Sequence, residues 1–152
     1  MKRRVFLGVA LVSMAMTGLP ATAGDVTTDS LEISGAFSRA SPKMAKAGAG
    51  FMTIRSLGPA DTLLGFKSPA CERPELHTHI KGEGGIMMMR KVEAIDIPAG
   101  GEAVLQPGSL HLMFIKLTEQ LVEGQEIEAT LIFEKAGEVK VTLPVKGPGA
   151  MK

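Results

Sequence analysis

The chain has no tryptophan and no tyrosine. Its apolar character therefore rests on aliphatic and sulfur side chains. Cysteine is nearly missing: Cys71 stands alone, so no internal disulfide can form. The ordinary place for such a thiol is a buried one, where it behaves as a small hydrophobe. Basic charge is not in excess, with 17 Lys and Arg against 16 Asp and Glu. That balance excludes the basic face that nucleic-acid binding requires. After residue 23 no segment is long and apolar enough to span a bilayer, which takes roughly 20 residues. No Ser-His-Asp set and no catalytic pair of carboxylates can be read from the chain, so nothing in it points to an enzyme.

What is present begins with a leader. Lys2, Arg3 and Arg4 are followed by the uncharged apolar run from Val5 to Met16 and by the small residues Ala21-Thr22-Ala23. These are the three parts of a secretory signal peptide, expected over residues 1–23. Its removal takes away three basic residues and no acidic one, which leaves 14 against 16 and a net charge of −2. The expected location is periplasmic. Residues 24–146 are expected to form one domain, with a flexible tail at 147–152.

The domain reads as short strands between turn signals. Gly58-Pro59-Ala60-Asp61, Ser68-Pro69, Pro98-Ala99-Gly100-Gly101 and Gln106-Pro107-Gly108-Ser109 punctuate the chain. The longest candidate strand runs from Ile86 to Ile97. The clearest hairpin joins 126–134 to 139–145. There Ile127, Ala129, Leu131 and Phe133 share one face, as do Val139, Val141, Leu143 and Val145 on the partner strand. The pattern predicts an all-β antiparallel sandwich or small barrel.

Sulfur and imidazole are clustered. Seven of the ten methionines lie outside the leader, and Met87, Met88, Met89 and Met113 fall within 27 positions. All three histidines, His77, His79 and His111, lie with these methionines in the stretch 77–113. In a strand, residues two apart share a face with α-carbons roughly 6.6 Å apart, so His111 pairs with Met113 and His77 with His79. A lone Met or His usually has an ordinary packing or surface role, but here the two types coincide. Thioether sulfur is soft and neutral and favours copper(I) over zinc, calcium or magnesium. Unlike a thiolate, it forms no disulfide in an oxidising compartment.

The stretch from Glu75 to Leu117 resembles the periplasmic copper chaperones of the PCu(A)C family. Their signature is a His, a Met eleven or twelve positions on, 21 residues, then His-x-Met. Here these are His77, Met89, positions 90–110 and His111-Leu112-Met113. The flanks match as well, in Glu75-Leu76-His77, Ile97-Pro98-Ala99-Gly100-Gly101 and Leu105-Gln106-Pro107-Gly108. The resemblance implies a cupredoxin-like Greek-key β-sandwich. It implies His77, Met89, His111 and Met113 as metal ligands, with copper(I) as cargo and copper(II) as a further candidate. It implies delivery to a copper-accepting protein, such as an oxidase subunit or its assembly factor, in cytochrome c oxidase assembly. Phe37-Ser38-Arg39 resembles the family's aromatic-x-Arg motif and implies a structural role for Phe37 and Arg39. The chain departs from some relatives in Thr78, where they carry Met, and in a tail whose only soft donor is Met151. His79 is an additional imidazole, either an accessory ligand or a solvated strand residue.

Three other readings compete. A blue-copper electron-transfer site would need Cys71 beside two His and a Met. A metal-free β-sandwich for adhesion or assembly would need none of these donors. A zinc hydrolase would gather His77, His79 and His111 around an open position.

Overall fold

The computed structural model describes residues 24–152, and the leader expected over residues 1–23 lies outside them. The elements, in chain order, are β1 (Val26–Thr27), β2 (Leu31–Arg39), β3 (Ala47–Ser56), β4 (Asp61–Lys67), β5 (Cys71–Lys81), a 3-10 turn (Glu83–Gly85), β6 (Met87–Val92), β7 (Ile95–Ile97), β8 (Glu102–Leu105), β9 (His111–Leu117), β10 (Glu126–Phe133) and β11 (Gly137–Lys146). One sheet has the order β6-β5-β9-β3-β2, with β1 on β2 and β8 on β3, and the other has the order β11-β10-β4-β7. The result is the expected all-β, cupredoxin-like sandwich. Leu31, Ile54, Leu63, Phe114, Leu131 and Leu143 fill the space between the sheets. Cys71 is among these buried residues, and burial pushes its thiol above the usual value.

The C-terminal hairpin forms as its alternation predicts, with Ile127 opposite Leu143, Ala129 opposite Val141 and Leu131 opposite Val139. Two expectations need correction. First, the ladders are not all antiparallel: β11 runs parallel to β2 through Val145–Ser38 and Lys146–Arg39. This short pairing joins the two sheets and is continued by the bond from Ala40 N to Lys146 O at 2.7 Å. Second, residues 86–97 are not one strand. β6 pairs with β5 in one sheet, and β7 pairs with β4 in the other. Ile95 and Ile97 are buried, whereas Met87 to Lys91 are all exposed. A straight strand cannot lie on an outer edge and enter the opposite sheet's core, so the chain bends at Glu93-Ala94.

A bulge sets which side chains reach the outer face of the first sheet. On β2 the register passes from Ser34–Thr53 to Phe37–Phe51, three residues against two. Gly35 supplies the left-handed conformation this needs, at φ 61°. The inserted residue reverses the alternation. Leu31 and Ile33 face the core before it, and Phe37 and Arg39 face outward after it.

Candidate metal centre

The outer face of β6-β5-β9-β3 gathers the chemistry. His77 lies directly opposite His111, and Glu75 opposite Met113, across the β5–β9 ladder. His79 lies opposite Met89 across the β5–β6 ladder. Ala49 lies opposite Met113 on β3. Directly opposed residues share a face, so His77, His79, Met89, His111 and Met113 all stand on one surface. Between β8 and β9 the chain leaves the sheet as the loop 106–110, closed by the bond from Gln106 N to Leu110 O at 2.9 Å. That excursion brings Ser109 back beside the imidazoles.

A cleft of about 350 Å³ opens on this face. His79, Met89, His111 and Met113 line it, with Arg39 and Phe51 among its other walls. The Arg39 guanidinium lies 5.5 Å from the Phe51 ring centroid, and Phe51 is 6.3 Å from the His111 ring. Phe37 stacks on Phe51 at 5.1 Å. Arg39 also donates from Nε to Ala150 O at 2.7 Å, and its guanidinium lies 3.1 Å from Met151 Sδ, so the tail contacts the same wall. Phe37 and Arg39 thus buttress the cleft, a structural part of the kind expected for them.

Each of two histidines is held by the residue two positions before it. His111 Nδ1 donates to Ser109 O at 2.8 Å, which leaves the lone pair on Nε2. Burial favours the uncharged ring and lowers the His111 pKa against the opposing pull of the Ser109 carbonyl. His77 Nε2 donates to Glu75 Oε2 at 2.8 Å. That bond and nearby cations hold the Glu75 carboxyl below the usual range. Arg73 Nε adds an ion pair to the other carboxylate oxygen at 3.2 Å. In the neutral ring this arrangement leaves the His77 lone pair on Nδ1. That atom is the one buried side-chain nitrogen or oxygen among the described residues with no hydrogen-bond partner. Native structures rarely leave such an atom unpaired, and one that is left calls for a missing ion or water. A ring held on one nitrogen by a carboxylate or carbonyl, with the other nitrogen free, is the usual dress of a metal-ligating histidine.

Sequence patterning shows the donors but misses Glu75 and Ser109 as the groups that hold them. Period two from His77 would have found Glu75, because i and i−2 share a face of a strand; Ser109 lies in the loop before β9 and acts through its backbone carbonyl, which no side-chain pattern displays. Glu75→Gln weakens the carboxylate's hold on His77, and metal affinity is expected to fall about tenfold, the lower end of outer-partner effects. Titration of the variant against a competing chelator checks this. Cys71 is not part of the centre. It pairs with Leu117, six residues along β5 from His77, a distance of about 20 Å. Among the described residues, no group of three or more His, Cys, Asp or Glu side chains is arranged to hold a metal. The zinc-hydrolase reading leaves the thioethers on this face without a purpose.

A family model described as LpqE-like lipoprotein matches residues 31–145, from the start of β2 to near the end of β11. The chain belongs to the LpqE-like family. Solved structures agree with this placement. The apo PCuAC domain of PmoF2 is 25% identical, with a TM-score of 0.68, and the match covers 84% of this chain and 98% of that one. The copper-bound form of the same domain has a TM-score of 0.70 at 23% identity, covering 82% and 98%, and speaks to the fold alone. The solution structure of copper(I)-bound DR1885 from Deinococcus radiodurans is 27% identical, with a TM-score of 0.60, covering 88% and 83%. No curated protein sequence matches the chain. The resemblance to the PCu(A)C family drawn from His77, Met89 and the His-x-Met at 111–113 is thus upheld for this LpqE-like protein.

Proposed function

We propose that this LpqE-like protein carries copper(I) in the periplasm and passes it to a copper-accepting protein. In this reading the resting ligands are His77 Nδ1, His111 Nε2 and the thioethers of Met89 and Met113. The observation that carries it is the pair of histidines, each fixed through one nitrogen and free at the other, on the face that presents both sulfurs. Four neutral donors leave the complex with the single charge of the ion and fit a soft monovalent metal. The copper(I) form of DR1885, a structural relative above the level where only fold is shared, supports the choice of cargo.

Open geometry supports carriage over storage or catalysis. Met89 is 54% exposed, so an acceptor can reach a ligand directly. Neighbouring Ile86, Met87 and Met88 are also exposed, an apolar rim of the kind that marks a contact surface. Thioethers leave without needing a proton, so donors can be displaced one at a time. The leader at residues 1–23 supports the periplasmic location. No helix among the described residues is long and apolar enough to cross a membrane. An oxidase subunit or its assembly factor is the acceptor that the family resemblance favours. X-ray absorption of the copper(I)-loaded protein tests the ligand set. Two sulfur and two nitrogen neighbours are expected, and a spectrum without sulfur overturns it.

A further inference from the structure

The three imidazoles of the centre are held unequally. His77 is pinned to Glu75 at 2.8 Å and does not line the cleft. His79, two residues on, does line it, together with Met89, His111 and Met113. Met89 is its direct cross-strand partner. Its ring centroid is 5.2 Å from that of His111, closer than the 5.9 Å of His77. Its polar contact is a long one, Nδ1 to Ser109 O at 3.4 Å, to a carbonyl that His111 already holds at 2.8 Å. One imidazole, half-buried, is thus fixed by a short bond, and a second, half-buried too, stands lightly held on the cleft wall.

We propose that His79 is the exchange ligand of the centre: copper(I) enters and leaves through a set of His79, Met89, His111 and Met113 in which His79 stands in for His77. This rests on the reading of the cleft as a copper(I) carrier. In the step, a bond from the metal to a His79 nitrogen forms as the bond to His77 Nδ1 breaks. Each nitrogen ligates through its lone pair, one imidazole replacing another, so no electron moves and the charge of the complex is unchanged. Such a relay keeps the ion coordinated while the pinned ligand lets go. His77 then sets how tightly the ion rests, and His79 sets how fast it moves.

Three single variants separate these roles, each loaded with copper(I) and challenged with bathocuproine disulfonate. His79→Ala is expected to keep equilibrium affinity within about threefold of the parent while slowing transfer to the chelator about tenfold or more, an effect on rate without a matching effect on affinity. His79→Met restores a soft donor at the same place and should recover the rate, which a merely structural role would not predict. His77→Ala should instead lose affinity by about tenfold or more. The proposal is overturned if His79→Ala exchanges at the parental rate, or if it loses as much affinity as His77→Ala. A parent protein that fails to hold copper(I) at all would instead sink the carrier reading beneath it.

Discussion

Replacing Met89 and Met113 together by leucine is expected to lower copper(I) affinity roughly a thousand-fold and to leave the fold in place. Two of four donors are lost and water is a poor substitute for a soft ion; a thousand-fold loss corresponds to about 4 kcal/mol. Leucine is close to methionine in volume, and the swap ordinarily costs under about 1.5 kcal/mol in a packed site. Met89 is exposed and Met113 half-buried, so packing strain at these positions is smaller still. Chelator competition and thermal unfolding of the same sample read both halves. A double variant that holds copper(I) as tightly as the parent would show that the sulfurs are bystanders.

Asp61 carries the second large effect, on stability rather than on metal. It is 6% exposed, at the start of β4. Burial pushes its carboxyl up, but backbone N–H groups of Lys135, Thr62 and Ala136 outweigh that and hold it below the usual value. The bonds are 2.9 Å from Lys135 N, 2.7 Å from Thr62 N and 3.0 Å from Ala136 N. The carboxylate thus ties the β4 edge to the turn between β10 and β11. Asp61→Ala strands the Lys135 and Ala136 donors and is expected to cost about 3 kcal/mol, a fall of about 10 °C in Tm for a domain of this size. The folded-state pKa is depressed, so the group's contribution is present above the unfolded value, 3.8, and is lost as pH falls through the folded value. Asp61→Asn keeps an acceptor and removes the titration. The stability gap between parent and Asn variant should therefore close as the solution is acidified below about pH 4. Urea melts from pH 3 to pH 7 measure that gap, and a gap constant with pH would contradict it.

The proposed copper site and this structural carboxylate occupy different sheets, and the division follows from the fold. One sheet uses its outer face for donors while its inner face packs. The other supplies the hairpin that closes the sandwich. Arg39 sits at the parallel junction of β2 and β11, where the sheets meet, and from there reaches both the cleft wall and the tail. The junction explains why the cleft has a buried side, built on Phe37 and Phe51, and an exposed side, built on β6.

Much of this was legible in the order of residues alone, wherever the governing rule is local. Alternation with period two gave the face of every residue in the β10–β11 hairpin. It put His111 with Met113 and His77 with His79 before any neighbour was known. Spacing from His77 to Met89 and on to His111 and Met113 pointed to the family. Side-chain face is set by the pleat of a single strand, so a sequence can display it. What a strand lies beside is set by pairing with distant residues and by turns that no window of sequence contains. Tertiary structure therefore decided that Ile86 to Ile97 breaks between two sheets and that Gly35 turns Arg39 toward the cleft. It also decided that Met89 faces His79 rather than His77, and that Glu75 and Ser109 leave one nitrogen of each facing histidine free.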